Sequence, residues 1–143
     1  MPFEYRGDIA HADIAFNAWG RTLEEVFEEA AKATVQTMVE DLATVRRVES
    51  IEVKLDEISE EMLLFDFLNE LIFYKDAKRL FLLPSRLEIV KTAGGWSLQA
   101  TLLGEEIDPT RHPVNTDVKA VTMLRFSLAE GPEGWRATVV LDV

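Results

Sequence analysis

The sequence predicts an α+β fold, with two main helices packed on a largely antiparallel or mixed β-sheet, in a single domain spanning residues 1–143. Two observations predict it. Helical periodicity is confined to two segments of the first half, while the second half reads as two hairpins around glycine-containing turns. No internal repeat, low-complexity tract or Pro/Gly/Ser-rich linker divides the chain.

In order along the chain, Phe3 to Tyr5 reads as a short strand, followed by a loop around Gly7 and Asp8. Asp13 to Trp19 reads as a second strand closed by Gly20. Thr22-Leu23-Glu24-Glu25 has the form of a capping box, and behind it Leu23, Val26, Phe27, Ala30, Ala31, Thr34, Val35 and Met38 recur at helical spacing. That predicts a first helix to about Val39. Ser50 to Asp56 alternates, with Ile51, Val53 and Leu55 on one face, and predicts a strand. Ser59 to about Tyr74 is apolar nearly all round, interrupted by Asp66, Asn69 and Glu70, whose spacing gathers them into one stripe. Such a helix is buried on most sides, so it is expected centrally, against sheet.

Arg86 to Lys91 and Trp96 to Leu103 flank the turn signal Thr92-Ala93-Gly94-Gly95. Val118 to Leu128 and Trp135 to Val143 flank a second turn at Gly131-Pro132-Glu133-Gly134. Between the hairpins lies a polar loop, Glu105 to Pro113, with prolines at 109 and 113.

The final strand is the most informative stretch. Alternation places Trp135, Ala137, Val139, Leu141 and Val143 on one face, and Arg136, Thr138, Val140 and Asp142 on the other. The Asp142 side chain and the Val143 carboxylate then lie close together, an arrangement best tolerated with a cation between them. The segment Asp8-Ile9-Ala10-His11-Ala12-Asp13 adds two carboxylates and an imidazole. If it lies beside the last strand, Asp13, Asp142 and Val143 supply oxygen ligands for a hard cation such as calcium. A plainer reading makes Asp8 and Asp13 turn or cap residues and His11 a surface side chain. Zinc is disfavoured by the absence of cysteine and the wide separation of His11 and His112.

Composition narrows the function classes. Hydrophobic residues make up 48% and charged residues 29%, as in soluble globular proteins. No apolar run is long enough to cross a bilayer, and Met1-Pro2-Phe3-Glu4 is no secretory signal. Together with the lack of cysteine, this leads to the expectation of a cytoplasmic protein without membrane contact. Fifteen Lys and Arg against 26 Asp and Glu give a net charge of −11, which repels phosphate backbones. Direct nucleic-acid binding is not expected; cations or a basic protein partner are. Asp66, Asn69 and Glu70 read as the wet edge of the buried helix, with paired carboxylates for acid/base chemistry as the alternative. Arg111, His112 and Lys119 form a basic island with two readings, an anion site or exposed ion pairs with Glu105, Glu106 and Asp108, and the ion pairs are the favoured expectation. No Gly-rich phosphate loop or nucleophile elbow is present, so no catalytic residue is assigned.

Four blocks, in order and ending at the terminus, resemble the archease family. His11-Ala12-Asp13-Ile14-Ala15-Phe16 with Gly20 resembles its N-terminal signature, and Asp66-Phe67-Leu68-Asn69-Glu70-Leu71-Ile72-Phe73 its central helix. Gly104-Glu105-Glu106-Ile107, Arg111-His112, Val118-Lys119-Ala120-Val121-Thr122 and Trp135 to Val143 are similar to its C-terminal half. The signature normally has three residues between its acidic ends. Here four separate Asp8 from Asp13 and the threonine is missing, so Asp13 is carried over from its C-terminal side and Asp8 and His11 are not. The resemblance implies a non-enzymatic accessory protein of an RtcB-type RNA ligase in tRNA splicing and RNA repair, promoting ligase guanylylation and multiple turnover. It also implies a divalent metal, calcium in first place, on Asp13, Asp142 and the Val143 carboxylate. Two other readings compete: a stand-alone metal-dependent hydrolase, and a chaperone-like interaction module with no metal role. The oligomeric state is left open.

Overall fold

The computed structural model describes residues 2–6 and 13–143. The elements are β1 (Phe3–Arg6), β2 (Asp13–Gly20), α1 (Leu23–Met38), β3 (Glu49–Glu57), α2 (Glu60–Lys78), β4 (Leu80–Thr92), β5 (Gly95–Glu106), β6 (Ala120–Gly131) and β7 (Gly134–Asp142), with a short 3-10 turn at Leu42–Thr44. The strands form two sheets rather than one, ordered β1-β2-β7-β6 and β3-β5-β4. Every pairing between them is antiparallel. One hydrophobic core runs between the sheets and the two helices, centred on Phe16, Phe27, Phe67, Phe81, Leu98 and Leu141.

Helix α1 starts where its capping residues dictate. Thr22 Oγ1 accepts from the Glu25 N–H at 3.1 Å. The Glu25 carboxylate accepts from the Arg21 N–H at 2.8 Å, one residue earlier than in a standard capping box. Alanines 30, 31 and 33 are fully buried, and their small side chains let α1 lie close to its neighbours. Helix α2 is capped by Ser59, whose hydroxyl accepts from the Met62 N–H, and stops at Arg79 in left-handed conformation. It runs four residues beyond the predicted end because Lys75 continues the buried face of Leu68, Leu71 and Ile72.

β4 begins six residues before the predicted Arg86. Leu80 to Leu83 are buried on both faces, so they show no period-2 alternation, and Pro84 sits at a bulge rather than ending the strand. β6 is also bulged between Thr122 and Ser127, with Arg125 at φ 51. Its edge is covered by α2: Asn69 Oδ1 accepts from the Val121 N–H at 3.2 Å, while Asn69 Nδ2 donates to Phe65 O at 3.0 Å. Among the described residues no helix is long and apolar enough to cross a membrane.

The segment between β5 and β6 is tied to the end of α1. Glu40 N–H donates to Pro113 O, Asn115 N–H to Met38 O and Thr116 N–H to Thr37 O. These bonds carry the chain over the end of α1 and deliver it to β6 beside the last residues of β7.

Candidate metal centre

β2 and β7 pair along their full length, and the register can be read side chain by side chain. On the core face, Ile14, Phe16 and Ala18 oppose Leu141, Val139 and Ala137. On the other face, Trp19 opposes Arg136, whose guanidinium lies 5.4 Å from the ring centroid. Next, Thr138 Oγ1 donates to Asn17 Oδ1 at 2.9 Å. Ala15 then opposes Val140, and the last pair is Asp13 against Asp142. A one-residue slip would turn every side chain to the wrong face, so the pairs above fix the last one. The predicted face of β7 holds, except that Val140 on the second face is also fully buried.

Asp13 and Asp142 thus stand opposite one another at the sheet's end, both half-buried. Directly opposed like charges destabilise a strand pair. No hydrogen bond or ion pair to either side-chain carboxylate is made among the described residues. Asp142 also pairs with Ala120 on its other side, and its main-chain oxygen accepts from the Lys119 N–H at 2.8 Å. A cleft of about 390 Å³ opens beside Asp13, lined also by Tyr5, Thr37, Glu40 and Asn115. Tyr5 OH donates to Ala33 O at 2.8 Å, and its partial burial raises the phenol's pKa against a smaller opposing effect of Thr37.

The donors fit a hard cation. Asp13 and Asp142 offer only oxygen, with the Val143 main chain next in sequence, which suits calcium-class ions and not zinc. Among the described residues no three His, Asp or Glu side chains converge as a metal cluster, so two side-chain carboxylates form the described part of the site. Asp8 and His11 lie outside the described residues.

His112 is committed elsewhere. Its Nδ1 accepts from the Asp108 N–H at 2.9 Å, which leaves the proton on Nε2 to donate to Glu105 Oε2 at 2.9 Å. Arg111 pairs with Glu105 Oε1, and the Arg46 N–H donates to Oε2 at 2.6 Å. The ion pairing expected of Glu105 is present, but it is buried, not exposed: Glu105 is 8% and His112 2% exposed. Burial alone would raise the Glu105 pKa; Arg111, the Arg46 N–H and His112 together bring it down to about 2.

The polar stripe of α2 does not meet these residues. Asn69 binds β6 as described, and Asp66 lies within hydrogen-bond reach of Glu57, near Glu70. Partial desolvation, then Glu57, then Glu70 push the Asp66 pKa up to about 6. Sequence reading passed over Lys75 altogether. Its signal was the spacing 68, 71, 72, 75, which puts a lysine on the buried face.

Comparison with known proteins adds a family. A family model described as the archease protein family (MTH1598/TM1083) matches residues 3–143. The chain is 37% identical over 133 residues to the protein archease of Methanosarcina acetivorans, covering 92% of this chain and 90% of that one. It is 33% identical over 144 residues to the protein archease of Methanopyrus kandleri, with 100% of both chains covered. The solution structure of Methanobacterium thermoautotrophicum protein 1598 superimposes with a TM-score of 0.85 at 34% identity, covering 99% of each chain. A Thermotoga maritima archease, described as a possible chaperone, superimposes with a TM-score of 0.60 at 24% identity over 96% of this chain and 97% of that one, a likeness of fold alone.

Proposed function

The chain belongs to the archease family, and on that premise we propose that it is an accessory activator of an RtcB-type RNA ligase. In this reading it serves tRNA splicing and RNA repair in the cytoplasm, promoting ligase guanylylation and multiple turnover, and carries out no covalent step itself. The observation that supports it is the facing pair Asp13 and Asp142 at the free end of the β2–β7 ladder. Two carboxylates held opposite each other by a fixed register form a pre-organised acidic tip.

Asp13, Asp142 and the Val143 carboxylate would hold a divalent cation, with calcium the first choice. Bound there, it would neutralise the paired carboxylates and present positive charge at the tip. The chain's own residues supply position: Trp19–Arg136 and Asn17–Thr138 set the register, and the Lys119 N–H fixes the Asp142 main chain. The net charge of −11 supports a protein partner with a basic surface, and leaves RNA to that partner.

The test is multiple-turnover RNA ligation by a matched RtcB-type ligase with GTP and divalent metal. Runs compare no addition, the native protein, and the Asp13→Ala/Asp142→Ala variant. Turnover raised by the native protein and not by the variant supports the tip. Equal stimulation by both removes the metal role and favours a chaperone-like interaction module. No stimulation by folded native protein removes the activator reading.

A further inference from the structure

Helix α2 sends a buried ammonium to the strand end that carries Asp142. Lys75 is 7% exposed, and its Nζ donates to Asp117 Oδ1 at 2.6 Å and to Val118 O at 2.7 Å, with Asp76 Oδ1 also at 2.6 Å. A lysine ammonium has three donors, and all three are engaged. The two aspartates lie at the surface, whereas Val118 is fully buried. The carbonyl is therefore the contact that water cannot replace.

The Val118 carbonyl belongs to the same peptide unit as the Lys119 N–H, and that N–H donates to Asp142 O at 2.8 Å. A single planar amide thus joins Lys75 Nζ to the main chain of Asp142. A charge on the carbonyl side of an amide polarises it and strengthens donation from its N–H. The next residue, Ala120, pairs with Asp142 across β6 and β7. The geometry points to Lys75 as a positioning residue: through the Val118–Lys119 peptide it holds the Asp142 main chain, and so fixes the tip on which the proposed cation site rests. Nothing in this role requires Lys75 to reach the cation.

The experiment compares the native protein with Lys75→Met and Asp117→Asn, reading amide hydrogen exchange by NMR and terbium or calcium binding by titration. Lys75→Met keeps the apolar stem and removes the ammonium. Protection of the Lys119 amide is expected to fall about tenfold, the factor carried by a lost hydrogen bond of ordinary net strength, while core amides such as Leu98 keep theirs. Asp117→Asn, which spares the Val118 contact, is expected to leave Lys119 protection within about twofold. Unchanged Lys119 protection in Lys75→Met, or an equal loss at every amide, overturns the proposal. Cation binding separates it from the functional reading. Weaker binding in Lys75→Met extends the positioning to the ligands. A native protein that takes up no cation removes the metal reading and confines Lys75 to holding the Asp142 main chain, which the exchange data still decide.

Discussion

His112 donates from Nε2 to Glu105 inside the protein, and Glu105 receives two further polar contacts, one from Arg111 in the following loop and one from the Arg46 main chain. Three donors converge on one buried carboxylate, so Glu105→Gln would turn an amide NH₂ toward groups that can only donate. At pH 7 the substitution is expected to lower the thermal midpoint by roughly 5 °C or more. The native carboxyl is held at about 2, below its ordinary 4.5. Its contribution is therefore complete above the unfolded value and disappears as the pH falls from there through about 2. Thermal melts from pH 7 to pH 2.5 should show the difference between native and Glu105→Gln narrowing. A constant difference would contradict this account.

The facing carboxylates lead to an expectation of opposite sign. Without divalent metal, Asp13→Asn removes a like-charge repulsion across the β2–β7 ladder and is expected to raise stability by on the order of 0.5 kcal/mol. On the proposed function, calcium should raise the midpoint of the native protein and not that of the variant. Melts in chelator and in excess calcium check both. A variant less stable than the native protein in chelator would mean that Asp13 is held by an attractive contact instead.

Much of this site was legible because it lies on alternating strands. The residues of β7 declare their faces by period 2, and Asp13 opens a strand that Gly20 closes, so both carboxylates could be placed at strand ends. Their exact pairing needed the register. Glu105 was not legible as a buried group, because Arg46, which helps hold it, lies 59 positions away. Lys75 hid at the predicted end of a helix whose buried face it extends. The start of β4 hid for a different reason: strands covered on both faces lose their alternation.

Asp66 predicts a pH effect opposite to that of Glu105. Its folded-state pKa of about 6 lies above the ordinary 3.8, so the folded protein binds more protons between those values. The ionised carboxyl is a liability above about pH 6, and stability recovers as the pH falls toward 4. Asp66→Asn is expected to stabilise the protein at pH 7.5, by less than about 1 kcal/mol because the group is largely solvated. The advantage should vanish near pH 4. Denaturant titrations at the two pH values decide it, and a gain that persists at pH 4 would assign the effect to something other than charge.

Asn69 is the sharpest test of how α2 protects the open side of β6. Its amide makes two bonds of opposite polarity, accepting from the Val121 N–H and donating to Phe65 O. Val121 is 4% exposed, so its N–H has no easy recourse to water. Asn69→Ala leaves that donor unpaired and is expected to cost about 1–3 kcal/mol. Asn69→Asp keeps an acceptor for Val121 but sets a carboxylate against Phe65 O, beside Asp66 and Glu70 on the same helix stripe. At pH 7 it should therefore gain little over alanine. At a pH low enough to protonate it, the carboxyl can donate to Phe65 O and accept from Val121 together. The aspartate variant should accordingly recover relative to alanine as the pH falls. Urea unfolding of the three proteins at both pH values measures this, and parallel behaviour of aspartate and alanine would show that the Val121 contact is not what Asn69 contributes.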